Sequence, residues 1–375
     1  MYDSIVNLTN LPDTFYLDLE TSFRRSLFTS AGDGRDLPAL ASKVGYSPNR
    51  LRCLQAGKRT INGRIERNLI SKKLLLKLLQ LGRFSEADAE AAIIGARGHF
   101  KGLIAPLKLP IKASPELASL VGHALGDGHV GLKGFIYSNK ERALLDSVQK
   151  SVGVVFGHLK PYSFEQQSVV SLRYPRAVGR ILVAAGAIEG NKAYQNFGLP
   201  EWITNGSFPI RTAFIRALFD DEGSVDETNI ILGMACRGEP KQYMIALCGM
   251  LNDLGIRCTV KLFEPCPSGR MHGLRIKRYE NLSSFAELVG FTHPQKAAKL
   301  QVLLAQMKTR HYLYVDTSNL ILKRLQKDGP QTTKKLATAL NRDKETIRVN
   351  LNSLLADGKV QRRVAARRTS IWQMR

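Results

Sequence analysis

Two stretches of this sequence repeat one another, and an internal repeat obliges the chain to fold as two copies of one unit packed together. The first copy opens at Ser114-Pro115, a cap and a first-turn proline, and runs ELASLVGHALGDGHV; the second opens at Pro209 and runs IRTAFIRALFDDEGSV. Each segment predicts a helix of three to four turns that ends in an acid and a glycine, Asp127-Gly128 or Glu222-Gly223, before a strand. The acids stand 95 residues apart, 127 to 222, which is about one compact half-domain. Further on, VVSLRYPRAVGRILVAAGAIEGNK and GLRIKRYENLSSFAELVGFTHPQK share the order strand, aromatic residue, helix, glycine, with a lysine six residues after the glycine. Those lysines are Lys192, after Gly186, and Lys296, after Gly290. The common order is helix, two strands, helix, two strands, helix.

Small residues recur four apart in each acidic helix, Gly122 and Gly126 in one and Ala213 and Ala217 in the other, so the two helices can approach closely about a pseudo-twofold axis. That packing brings Asp127 and Glu222 together at helix C-termini, where the dipole is already negative and each carboxylate raises the other's proton affinity. A divalent cation resolves the conflict, and oxygen ligands with open water positions suit Mg²⁺, with Mn²⁺ as an alternative.

Charge agrees with an anionic partner. Lys and Arg number 55 against 32 Asp and Glu, a net charge of +23, and nucleic acid is the leading partner over a generic basic protein or a membrane-surface binder. No long uncharged apolar run is present, and MYDSIVNLTN lacks the features of a signal peptide, so no membrane association and a cytoplasmic location are expected. The five cysteines, Cys53, Cys236, Cys248, Cys258 and Cys266, form no C-x-x-C pair and read as reduced thiols with packing roles.

LVGHALGDG (120–128) and IRALFDDEG (215–223) resemble the two LAGLIDADG motifs of single-chain homing endonucleases. The resemblance covers roughly residues 105 to 305. It implies an α+β fold of two pseudo-symmetric αββαββα half-domains whose strands form a saddle along the DNA major groove. It also implies Mg²⁺-dependent hydrolysis of both strands, with short 3′ overhangs, by a monomer. The last acid of each motif is the family's metal ligand, which carries over onto Asp127 and Glu222. One departure is Leu125, where many members have an acid; the second motif keeps Asp220 at that place. Residues that hold water and phosphate around the metal resemble Asn139 and Lys140 in the first copy and Lys277 in the second, with Arg173 read as the counterpart of Lys277. Lys133, Arg237, Lys241, Lys261, Arg270 and Arg275 are expected to read base edges from the strands.

Helix-turn-helix outlines flank the repeats. The first hundred residues read as helical, and LPALASKVGYSPNRLRCLQAGKRT places Asn49, Arg50, Arg52 and Gln55 where a recognition helix meets the major groove; an ordinary helical hairpin is the alternative. Residues 316–375 read as a winged helix-turn-helix, with Thr346, Arg348 and Asn350 on the reading helix and Arg362, Arg363, Arg367 and Arg368 on the wing. The expected domains are 1–104, 105–204, 205–310 and 316–375. Protein splicing is disfavoured by the absence of a Cys or Ser start and a His-Asn end. Two rivals stay open: a regulator that binds DNA on this scaffold without cutting, and an RNA maturase that uses the same basic saddle.

Overall fold

The computed structural model describes residues 4–32, 37–61, 64–98, 102–236, 242–266, 269–340, 342, 344–364 and 370–375, and of these only the backbone of 58–61, 64–67, 236, 261–266, 269–271, 308–316 and 364. Two compact units are formed, Met1–Leu300 and Gln301–Arg375.

The N-terminal segment of the first unit runs β1 (Tyr16–Leu19), α1 (Thr21–Ala31), α2 (Leu37–Val44), α3 (Pro48–Ala56), β2 (Lys58–Ile61), β3 (Arg64–Arg67), β4 (Ile70–Ser71), α4 (Lys72–Gly82), α5 (Glu86–Ala92), β5 (Ile93–Arg97) and β6 (Leu103–Ile104). Strands β4, β1, β5 and β6 make a four-stranded sheet, which corrects the all-helical expectation for this region. Each of these strands has only two to five residues, too few for an alternating pattern to stand out beside the helical periodicity around it. Gly45 takes φ +77° between α2 and α3, and Ser47 accepts the Arg50 N–H at 3.3 Å, so turn and cap fall where the sequence puts them. The antiparallel hairpin β2–β3 directly follows α3. Buried Arg24 on α1 ties this segment together, donating to the carbonyls of Leu54 at 2.8 Å and Asn68 at 2.7 Å and pairing with Asp18 at 2.9 Å.

The first repeat is α6 (Pro115–Leu125), β7 (Gly128–Gly131), β8 (Gly134–Asn139), α7 (Arg142–Phe156), β9 (Tyr162–Gln166), β10 (Val169–Tyr174) and α8 (Arg176–Ala184). After the short helix α9 (Glu201–Thr204), the second is α10 (Phe208–Glu222), β11 (Gly223–Val225), β12 (Asn229–Cys236), α11 (Gln242–Asp253), β13 (Cys258–Cys266), β14 (Gly269–Lys277) and α12 (Tyr279–Leu288). Both antiparallel sheets follow the same order, β7-β8-β10-β9 and β11-β12-β14-β13. Pro265 and Cys266 of β13 pair with Arg270 and Gly269 of β14, after a register shift beyond Leu262.

Alternation in the strands separates two faces. Phe135, Tyr137, Leu172 and Tyr174 are buried, as are Ile230, Leu232, Leu274 and Ile276 in the second sheet. The opposite face carries the cross-strand neighbours His129, Ile136, Arg173 and Tyr162 in one sheet and Ser224, Ile231, Arg275 and Thr259 in the other. Helices α6 and α10 pack directly on one another: a Cβ on Gly122 would lie 2.8 Å from the Phe214 carbonyl oxygen and 2.9 Å from the Ala217 methyl. Glycine there is what lets the two backbones come this close.

Helix α13 (Pro294–Asp328) runs through residues 311–315, where the sequence suggests a join between domains. The second unit continues with β15 (Gln331–Thr332), α14 (Thr333–Ala339), α15 (Lys344–Ala356), β16 (Val360–Val364) and β17 (Ser370–Met374). Its sheet order is β15-β17-β16, and Ile321, Leu325, Leu336, Ile347, Leu351, Leu354 and Trp372 form its core. Three helices are thus followed by a two-stranded hairpin, β16–β17, paired to the short strand β15.

Candidate functional site

Helices α6 and α10 end together, and the polar groups of the site collect at those ends. Asp127 follows the last turn of α6 and is open to solvent; Glu222 is the last residue of α10 and is half-buried. Partial burial and the charge of Asp221 push the Asp127 carboxyl up to about 6, against the pull of Lys296 and Lys192, and water on its open side screens part of this effect. Burial, with Asp127 close by, pushes Glu222 up to about 7. Two carboxylates that hold protons this readily near neutrality are a donor set a divalent cation satisfies. Among the described residues, no group of three or more His, Cys, Asp and Glu is arranged to hold a metal; Asp127 and Glu222 are the two carboxylates that could serve a cation here. Waters and phosphate oxygens would complete its coordination, as is usual for Mg²⁺.

Lys192 and Lys296, whose matched spacing is visible in the sequence, do the same work in both copies. The Lys192 ammonium donates to the carbonyls of Ala124 at 3.2 Å, Gly128 at 2.8 Å and Gly126. Lys296 donates to those of Phe219 at 3.3 Å, Asp221 at 3.2 Å and Asp220. Each amine therefore satisfies carbonyls left open at a helix C-terminus and places a positive charge near Asp127 and Glu222. Burial lowers the Lys296 pKa, while Asp220, Asp221, Asp127 and Glu222 oppose the shift.

The site is not symmetric, and Asp221 is the reason. Its carboxylate has no exposed side-chain surface and accepts the Tyr137 hydroxyl at 2.7 Å and the Asp127 backbone N–H at 3.1 Å. Asp221 also contacts His123 Nδ1 at 3.0 Å. Burial disfavours a charged His123, but Asp221, Asp220 and Asp127 outweigh it and raise its pKa. The equivalent position in the first motif is Gly126, where a Cβ would lie 2.4 Å from Asp221 Oδ2, so the missing side chain in one copy makes room for the acid of the other. Sequence reasoning passed over Asp221, His123 and Tyr137 because a search for repeated features hides residues that the repeat does not share. Asp220, beside Asp221, accepts the backbone N–H groups of Thr292 at 2.8 Å and His293 at 2.9 Å, just before α13.

Asn139, the last residue of β8, donates to Asp127 Oδ2 at 2.8 Å, and exposed Lys140 follows it. The register gives the counterparts. Gly128 pairs with Tyr137 and Gly223 with Leu232, which sets Tyr137 against Leu232, Asn139 against Met234 and Lys140 against Ala235. Carried across to the next strands, the same register sets Arg173 against Arg275 and Lys277 against Pro175, which corrects the pairing of Lys277 with Arg173. Lys277, exposed at the end of β14, lies with Arg275, Arg257 and Arg278 around a pocket of about 600 Å³. The Arg173 guanidinium lies 5.0 Å from the Phe164 ring centroid and 5.6 Å from that of Tyr162, aromatic contacts that hold the charge on the open face.

Lys133 is exposed in the β7–β8 turn. Arg237 and Lys241 lie outside the described residues, as do Arg367, Arg368 and the side chains of Lys261 and Arg270. Arg50 and Arg52 are exposed on α3, and Arg52 donates to Asn49 at 3.3 Å. On α15, Arg348 is exposed and paired with Glu345 at 2.7 Å, and Arg363 is exposed on β16. Asn350 is instead buried, accepting from the Ser318 hydroxyl at 2.8 Å and donating to the Thr346 carbonyl at 2.9 Å. It therefore holds two helices together, because its place on α15 turns it towards the core.

Among the described residues, no helix is long and apolar enough to cross a membrane. No protein-family model matches the chain. Curated relatives include a glutamine–fructose-6-phosphate aminotransferase of Methanocaldococcus jannaschii, 24% identical over 224 residues, covering 56% of this chain and 19% of the relative. A replication factor C small subunit of Thermococcus kodakarensis is 29% identical over 203 residues, covering 52% and 22%. A tRNA-splicing ligase RtcB of Pyrococcus furiosus is 23% identical over 232 residues, covering 54% and 24%. The chain spans only about a fifth to a quarter of the length of these relatives, whose named activities differ from one another. Similar solved structures include I-DmoI in complex with DNA and Mn, 17% identical, covering 48% of this chain and 98% of that one with a TM-score of 0.37. The N-terminal LAGLIDADG domain of DUF199/WhiA is 14% identical, covering 48% and 86% with a TM-score of 0.33.

Proposed function

We propose that this chain is a site-specific double-stranded DNA endonuclease that hydrolyses phosphodiesters with Mg²⁺, or with Mn²⁺, held by Asp127 and Glu222. The observation that carries this reading is the meeting of two repeated helices whose terminal acids both have raised proton affinity and are each attended by a lysine. A divalent cation at those carboxylates supplies Lewis acidity at a phosphodiester. The side chains around it have separate tasks. Asn139 fixes the orientation of Asp127, and Asp221 locks the backbone beneath it. Lys192 and Lys296 balance the gathered negative charge, and Lys140 stands ready for a phosphate.

Duplex DNA would lie along the open faces of the two sheets, where Arg173, Arg275 and Lys133 meet phosphates and base edges. Arg50 and Arg52 on α3, and Arg348 and Arg363 in the C-terminal unit, would each extend the contacted length by helix-turn-helix binding. Both acids belong to one chain, so a monomer suffices, and the family resemblance implies short 3′ overhangs. Asp127→Asn tests the assignment: it should abolish cleavage while leaving the Kd for DNA within a few fold. Cleavage retained by that variant would overturn the metal site.

One observation favours a second reading, a regulator that binds DNA without cutting it. At the register positions of Tyr137 and Asn139 the second repeat carries Leu232 and Met234, so that strand offers Glu222 no amide like the one Asn139 gives Asp127. Specific binding by the wild-type chain with no cutting in Mg²⁺ or Mn²⁺ would establish that reading.

A further inference from the structure

Cys248 and Cys258 stand apart from the centre described above and are brought together by the second repeat. Cys248 lies on α11 and Cys258 opens β13, with the turn at Gly255, φ +76°, reversing the chain between them. Their sulfurs are 2.6 Å apart, well inside ordinary non-bonded contact and close to the roughly 2.05 Å of a disulfide. Each sulfur also lies 3.6 Å from the other residue's carbonyl oxygen. Both side chains are only half-buried, and Cys258 lines the pocket beside Arg257 and Arg275, so a small oxidant can reach the pair.

We propose that Cys248 and Cys258 form a reversible intramolecular disulfide, made by thiol–disulfide exchange with a small disulfide such as oxidised glutathione. The exchange opens at one thiol of the pair, for instance Cys248. Its thiolate bonds to one sulfur of the oxidant and releases one glutathione. Cys258 then attacks the mixed disulfide at the Cys248 sulfur, gives up its proton and releases the second. Two protein thiols are oxidised and one glutathione disulfide is reduced to two thiols. The bond closes a short loop between helix and outer strand and pins α11 to β13 at the wall of the basic pocket.

The test uses the full chain, equilibrated in glutathione buffers from fully reduced to fully oxidised, acid-quenched, alkylated and mapped by mass spectrometry without reduction. A peptide pair joining Cys248 to Cys258, two hydrogens lighter than the free thiols and reversed by dithiothreitol, is expected, while Cys53 remains alkylated. The wild-type Tm should rise by several degrees on oxidation, and C248S, which has lost the partner, should show no rise. Both thiols alkylated in the most oxidising buffer, a glutathione adduct persisting on either one, or a link to a different cysteine would each overturn the proposal.

Discussion

Gly122→Ala probes the contact that brings the two acids together. A methyl group at Gly122 would meet the Phe214 carbonyl oxygen at 2.8 Å and the Ala217 methyl at 2.9 Å, neither of which is the free end of a flexible side chain. Helices α6 and α10 must then separate by several tenths of an ångström, an overpacking cost of about 1–3 kcal/mol. Alanine opposes this with its better helix propensity, about 1 kcal/mol over glycine. A control separates the two effects: Gly153, inside α7, has nothing within 4 Å of an added Cβ, so Gly153→Ala collects the propensity gain alone. The variants should thus differ by about 1–3 kcal/mol, with Gly153→Ala above the wild type and Gly122→Ala at or below it. Thermal unfolding reads this as a Tm gap of roughly 2–5 °C between them. Equal gains in both variants would refute the close helix packing. Gly122→Ala should also slow cleavage, because it parts Asp127 from Glu222.

Three further outcomes follow from the site and its surroundings. Since the folded-state pKa values of Glu222 and Asp127 are raised to about 7 and about 6, the metal-free fold holds their protons more tightly than the unfolded chain does. That stabilisation is complete below about pH 4 and is lost as pH rises through 6 to 7, so the metal-free Tm should fall across this window and recover with Mg²⁺ at pH 8. An unchanged pH slope in the Asp127→Asn, Glu222→Gln double variant would contradict the cause. Asn139 donates to Asp127 while Met234 stands at the matching register position of the second repeat, and this difference predicts unequal strand cutting. Supercoiled substrate should pass through an open circle nicked in one particular strand, and end-labelling that finds both strands nicked equally would count against it. Arg24→Met leaves Asp18 and two carbonyls without their buried donor, at a cost of about 3–5 kcal/mol; proteolysis near residues 57–68 should accelerate, and unchanged susceptibility would deny the anchor.

The repeat made the two halves legible because its signals are local: a capped helix, an acid followed by glycine, and a lysine at fixed spacing. The turn at Gly45 and the cap at Ser47 follow from the same kind of signal. The role of Lys192 and Lys296 is not local, since it depends on where the chain returns to a helix end some 64 to 77 residues earlier. Asp221 was hidden for a different reason. Its partners His123 and Tyr137 lie 98 and 84 residues away, and its counterpart Gly126 contributes only space. The small sheet of the N-terminal segment escaped because two-residue strands carry no period, and Asn350 because a polar residue on a basic helix reads as exposed until the packing of its neighbour is known.

The central claim is cutting at a defined site, and the measurement that tests it most directly is cleavage selection on a randomised duplex library, with Mg²⁺ and with EDTA. The account predicts ends that share one flanking sequence, recovered with Mg²⁺, lost with EDTA and lost again in Asp127→Asn. Library DNA that is bound specifically but left intact in Mg²⁺ and in Mn²⁺ would contradict it.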